Sequence, residues 1–186
     1  FIVYNEPNYP NLAGLFRALG VAVQKSDMSF GITVNSGEFE WAAQSPNAIF
    51  GQRTNLLRPS FYRMIRDVAK FNRLALQTVE RQPQLSLGEL MEILQLGGDF
   101  CRHYLLPMGG AIWSCPTAQI LEFPASTFVT FFKNHGLLSM NGQHQWYTVT
   151  GGSREYLKKL TSSYRDRIRT DCAAMKVTRS QEKVLI

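Results

Sequence analysis

The run Tyr147–Leu160, YTVTGGSREYLKKL, sets a β-like stretch, the pair Gly151-Gly152 and a helix-like stretch in immediate succession. Strand, glycine turn, helix is an arrangement that can cradle phosphates. Two glycines let backbone approach a flat or charged ligand closely, and the N–H groups opening the next helix attract negative charge. The dinucleotide fingerprint G-x-G-x-x-G is absent, and so is G-x-x-x-x-G-K-[ST]. The pair is therefore not a complete phosphate loop, and its spacing alone favours a simple tight turn.

Other reactive side chains point to less. His103, His135 and His144 lie far apart, with no Cys, Asp or Glu at ligand spacing, and read as structural. Cys101, Cys115 and Cys172 are odd in number and widely spaced, without a C-x-x-C pair, which suggests neither zinc nor a disulfide framework. No G-x-S-x-G occurs, so a hydrolase elbow has no support. Trp41, Trp113 and Trp146 can line an apolar pocket, although core packing accounts for most aromatics.

The elements that must position these groups are legible in part. Phe1–Tyr4 reads as a short buried strand, followed by a proline turn at 5–10 and a helix capped by Asn11 and ended by Gly20. Two runs within 28–42 flank Asn35-Ser36-Gly37 as a hairpin, and 44–57 reads as loop. Pro59–Arg81 carries apolar residues at helical spacing with Arg and Lys between them. Ser86–Glu89 fits a capping box for a helix reaching about Leu96. A third helix covers 99–106, and PMGGAIWSCP reads as a buried turn. Helices are expected over 116–122 and 125–134, a strand over 145–150, a helix over 153–164, and a hairpin at 172–178 and 183–186. The order is not βαβ alternation, so the expected class is α+β.

The chain has 186 residues, 45% hydrophobic, with a net charge of +6 and a pI near 9.4. That supports one sizeable core and suits anionic partners. The densest basic cluster, Lys158, Lys159, Arg165, Arg167 and Arg169, is broken by Asp166 and reads as a solvated helix face. No apolar run approaches membrane-spanning length and no signal peptide is visible, so the cytoplasm is the expected location. Both ends lie in apolar, strand-like stretches, as expected of a segment cut from a longer protein. Such strand edges can drive dimerisation.

Six stretches in order, FIVYNEPNYPNL, SDMSF, RTNLLRP, HYLLPMGGAIWS, FPASTFVTFFKNHGLL and WYTVTGGSREYL, span nearly the whole chain. Together they resemble the flavin-containing amine oxidase superfamily. The branch they resemble most is that of bacterial NAD/FAD-binding amine oxidoreductases found near cyclopropane-fatty-acid synthase-like enzymes. The resemblance implies a substrate domain at 1–150, with helices on a small mixed or antiparallel sheet. Residues 151–186 would cross back toward an FAD domain, and the Rossmann unit would precede Phe1. Isolated, the chain would then bind FAD weakly or not at all. By position, Tyr4 and Asn5 are expected to approach the flavin ring, and Gly151, Gly152 and Ser153 to lie beside it. Ala174, where the family usually has Val, would run past the adenine. Tyr9, Trp113, Trp146 and Glu155 would line the substrate cavity. The substrate would be a small molecule or an acyl lipid. No nucleic acid, metal or general base is implied. The other function open to the sequence is a non-catalytic basic module for an anionic partner.

Overall fold

The computed structural model describes residues 3–43, 45–139 and 144–185. Its longest element is the helix α3, Pro59–Arg81, with the bounds the periodicity predicts. Pro59 sits in the first turn, where its missing N–H costs nothing. Phe61, Met64, Phe71, Ala75 and Val79 form the buried stripe, and the arginines and lysine between them face outward. Asp67 is also buried on this helix. Its carboxylate accepts from the Arg66 guanidinium and, at 2.8 Å, from the Gly97 N–H, so it is both paired and hydrogen-bonded.

Chain order runs β1 (Tyr4–Asn5), α1 (Pro10–Ala18), β2 (Val23–Ser26), β3 (Gly31–Val34), β4 (Phe39–Ala42), α2 (Pro46–Ile49), then α3. After α3 come α4 (Leu87–Ile93), α5 (Gly98–Phe100), α6 (Leu106–Trp113), α7 (Ala125–Asn134), β5 (Trp146–Val149), α8 (Ser153–Thr161), β6 (Thr178–Arg179) and β7 (Val184–Leu185). The sheets are small and antiparallel, in the orders β1-β5-β2, β3-β4 and β6-β7. The α+β class expected from the sequence is what the chain adopts.

Two apolar cores result. The larger joins α3–α7 and the β3-β4 hairpin around Phe61, Phe71, Phe100, Phe128 and Phe132. The smaller, Tyr4, Ala13, Phe16, Val21 and Val149, lies beneath the three-stranded sheet, with Tyr156 of α8 packed against it. Beyond α8, residues 162–185 are exposed throughout.

Several local expectations hold. The hairpin turns at Asn35, Ser36 and Gly37, all at positive φ. The capping box at Ser86 and Glu89 is formed in both directions, and the Ser86 N–H holds the Glu89 carboxyl below its usual range. Gly20 ends α1 in a left-handed conformation, with Val21 N–H returning to the Phe16 carbonyl.

Others need correction. Asn11 is not the cap of α1; Tyr9 is, because Pro10 takes the first helical position. The expected loop at 44–57 contains α2, capped by Ser45, and a 3-10 turn over Arg53–Leu57. The helix from Ser86 stops at Ile93, and Gln95 rather than a glycine takes the left-handed closing position. PMGGAIWSCP is largely helix. A π turn at Cys101–Leu105 widens the chain between α5 and α6, and α6 runs on through Pro107 to Trp113. Pro107 has no N–H to give the His103 carbonyl, four residues earlier. The Trp41 indole N–H supplies that bond at 3.1 Å. Of the terminal strands, Phe1, Ile2 and Ile186 lie outside the described residues.

Candidate functional site

Strand β5 is the central strand of its sheet, and the residues singled out in the sequence gather at its two ends. At its start, Trp146 pairs with Asn5 and Tyr147 with Tyr4 across the antiparallel register. The Tyr4 ring is buried, 5.3 Å from Phe16 edge-on and 5.8 Å from Tyr147, and burial pushes its hydroxyl pKa up. Asn5 is fully buried. Its Oδ1 accepts from the Asn8 N–H at 2.9 Å, closing the turn into α1, while its Nδ2 finds no partner among the described residues.

That turn delivers Tyr9 to the seam between the two cores. There the His135 ring, at the end of α7, stacks on Phe131 at 3.9 Å and faces Trp146 at 5.7 Å. His135 Nδ1 lies 2.8 Å from the Phe131 carbonyl. A carbonyl only accepts, so Nδ1 carries the proton, and in the neutral ring Nε2 accepts from the Tyr9 hydroxyl at 3.3 Å. Asn8 Nδ2 and His144 Nε2 both donate to the Asn134 carbonyl beside it. The structure thus brings Asn5, Tyr9 and Trp146 together. It adds His135, a residue the sequence marks only by the four-residue spacing from Phe131 that stacks two rings on one helix face.

The other end of β5 is the glycine turn, about 15 Å along the strand from Trp146 at the usual rise per residue. Gly151 and Gly152 have φ of 82° and 86°, and Gly152 caps α8. The two glycines differ in what surrounds them. A Cβ on Gly151 would lie 3.0 Å from Glu155 Cγ, so that glycine makes room for the helix's own side chain. A Cβ on Gly152 would meet nothing within 4 Å: its backbone is open to approach. Ser153 opens α8. Glu155 is held by Lys158 at 2.8 Å, which keeps its carboxyl below the usual range. A carboxylate so paired is a poor proton acceptor near neutrality. Tyr156 packs 5.3 Å from Phe16, and the Lys159 ammonium donates to the Gly20 carbonyl, so α8 is fastened to the end of α1.

Tyr4 and Asn5, expected beside Gly151, Gly152 and Ser153, stand at the opposite end of β5 from them, as Glu155 does from Tyr9 and Trp146. Two further residues expected at the site stand elsewhere. Trp113 packs among Phe123, Phe128 and Phe131, each 5.0 Å from its ring, in the larger core. Its link to the seam runs through Phe131 alone among these contacts. Ala174 is exposed on the C-terminal arm. Among the described residues there is no cluster of His, Cys, Asp or Glu able to hold a metal, and no helix long and apolar enough to cross a membrane.

Compared with protein-family models and with curated proteins, the chain matches none.

Proposed function

We propose that this chain is the substrate-binding part of an FAD-dependent oxidoreductase of the amine-oxidase kind, with the β5–Gly151–Gly152–α8 junction facing the flavin. The observation that carries the proposal is the open backbone of Gly152 where a strand hands over to a helix. A flat ring can approach that backbone, and any side chain there would be both strained and in its way. The six ordered stretches that resemble the family support the same reading. Gly151, Gly152 and Ser153 at this junction fit such a ligand, whereas Tyr4 and Asn5 are buried at the other end of β5 and do not reach it.

When bound, a flavin supplies hydride acceptance and subsequent reoxidation. The chain's own contribution is orientation and a dry surface. The seam of Tyr9, His135 and Trp146 offers an aromatic wall for a small-molecule or acyl substrate, and the Tyr9 hydroxyl, which donates to His135, keeps its oxygen as an acceptor. The arm at 162–185 exposes Ile168, Met175, Val177, Val184 and Leu185, an apolar set that suits packing against a cofactor domain. Self-pairing through the same strand edges belongs to this reading, and a monomer by light scattering at high concentration would remove it.

The test is a titration of FAD, followed by flavin fluorescence, into this chain and into one extended at both ends to include a dinucleotide loop. Quenching is expected in the longer protein and weak or absent in this one, since the fingerprint that cradles a pyrophosphate is missing here. Replacing Gly152 by Val in the longer protein should weaken FAD binding about tenfold or more. Failure of the longer protein to bind FAD would sink the proposal.

A further inference from the structure

We infer that the outer face at the start of α3 is a docking surface for an anionic lipid bilayer. The inference does not depend on the flavin reading. Its apolar part is a protruding turn. Leu57 is 87% exposed, and Leu56 and Tyr62 are each 48% exposed. With Pro59, Arg63 and Arg66 they line one shallow depression. The exposure is built in: the Tyr62 hydroxyl donates to the Leu56 carbonyl at 3.0 Å, and Arg53 donates to the Phe50 carbonyl and to Asn47, fixing the turn against its surroundings.

The charged part follows directly along the helix. Arg63, Arg66, Lys70 and Arg73 recur every three or four residues, so they share one side of α3. The carboxylates near them lie beneath the stripe. Asp67 is 1% exposed and committed to Arg66 and the Gly97 N–H. Asp99, 15% exposed, is shared between Arg63 and Arg102. The face turned to solvent therefore carries cations next to bare leucines. Phosphate headgroups satisfy the first and the acyl boundary the second, which is how amphipathic surfaces bind anionic membranes. Nucleic acid would use the cations and leave Leu57 in water.

The experiment is co-sedimentation of the chain with phosphatidylcholine vesicles, with and without about 30% phosphatidylglycerol. Binding to the anionic vesicles should be about tenfold tighter or more, and should weaken as salt is raised. Leu57→Asp should weaken it about tenfold, and so should Lys70→Glu combined with Arg73→Glu. Both variants change exposed or half-buried surface and should keep the parent circular dichroism and melting temperature. Met175→Asp, the same change on the exposed C-terminal arm, should bind like the parent. The inference is overturned by any of four results: no binding, equal binding to both vesicles, parent-like binding by Leu57→Asp, or loss by Met175→Asp. Single-stranded DNA or polyglutamate bound as tightly as vesicles through the same residues would reassign the face to a soluble polyanion.

Discussion

At the scale of single residues, the carbonyl of His103 shows how one side chain permits another. Pro107 cannot donate to it, and Trp41, sixty-two positions away, does. Trp41→Phe should cost about 2–4 kcal/mol, from a buried acceptor left unpaired and a smaller ring. Part of that cost should disappear in a Pro107→Ala background, where the backbone N–H returns. Chemical denaturation of the four proteins in a double-mutant cycle checks this, and strictly additive losses would refute the coupling. The His103 ring itself stacks on Phe39 at 4.3 Å, with its Nδ1 buried and without a partner among the described residues. Burial, reinforced by Arg102, lowers its pKa below the ordinary value of 6.5. The unfolded chain then takes up that proton first as pH falls. This residue's contribution to stability is therefore complete above about pH 6.5 and declines below it, until the lowered folded value is passed. His103→Phe should flatten the stability profile between about pH 7 and 5. Parallel profiles for the two proteins would be the contrary outcome.

Among elements, α6 and the 3-10 turn Thr117–Glu122 approach each other closely at a glycine. A Cβ on Gly109 would stand 2.9 Å from two carbons of Ile120, which is buried. Gly109→Ala should therefore destabilise the protein by about 1–3 kcal/mol despite its better helix propensity. Adding Ile120→Val should recover part of the loss, measured as the shift in denaturation midpoint. The same stretch shows where sequence reading stops. Helix α3 and the Ser86 capping box were legible because their signals, apolar periodicity and a polar residue followed three positions later by an acid, are local. PMGGAIWSCP reads as a turn because a proline and two glycines are local breakers. What keeps the helix intact there is a π turn and an indole from another element. Likewise the glycine turn was visible as a motif, but His135 was not. Its partners Tyr9 and Trp146 are brought to it only by the sheet.

On the scale of the whole molecule, the two cores differ greatly in size, and the seam between them rests on a few polar bonds and the His135 stack. Amide hydrogens of β1, β2 and β5 should exchange through an opening of lower free energy than those of α3 and α7. Tyr9→Phe, which removes the bond to Nε2, should lower that opening energy by about 1 kcal/mol while leaving the slowest amides of α3 nearly unchanged. Uniform loss of protection across both cores would show them to be one cooperative unit. The seam also has a consequence for how the chain reaches this state. Tyr9 and His135 are 126 positions apart, so β1 is expected to pair with β5 late, after the segment between them has become compact, because closing so long a loop costs entropy before those contacts exist. The helical body then acts as a template whose completion brings β1 and β5 within reach of one another. Mutations that slow the helical body should leave the unpaired strands exposed for longer, and should raise aggregation during refolding out of proportion to their effect on final stability.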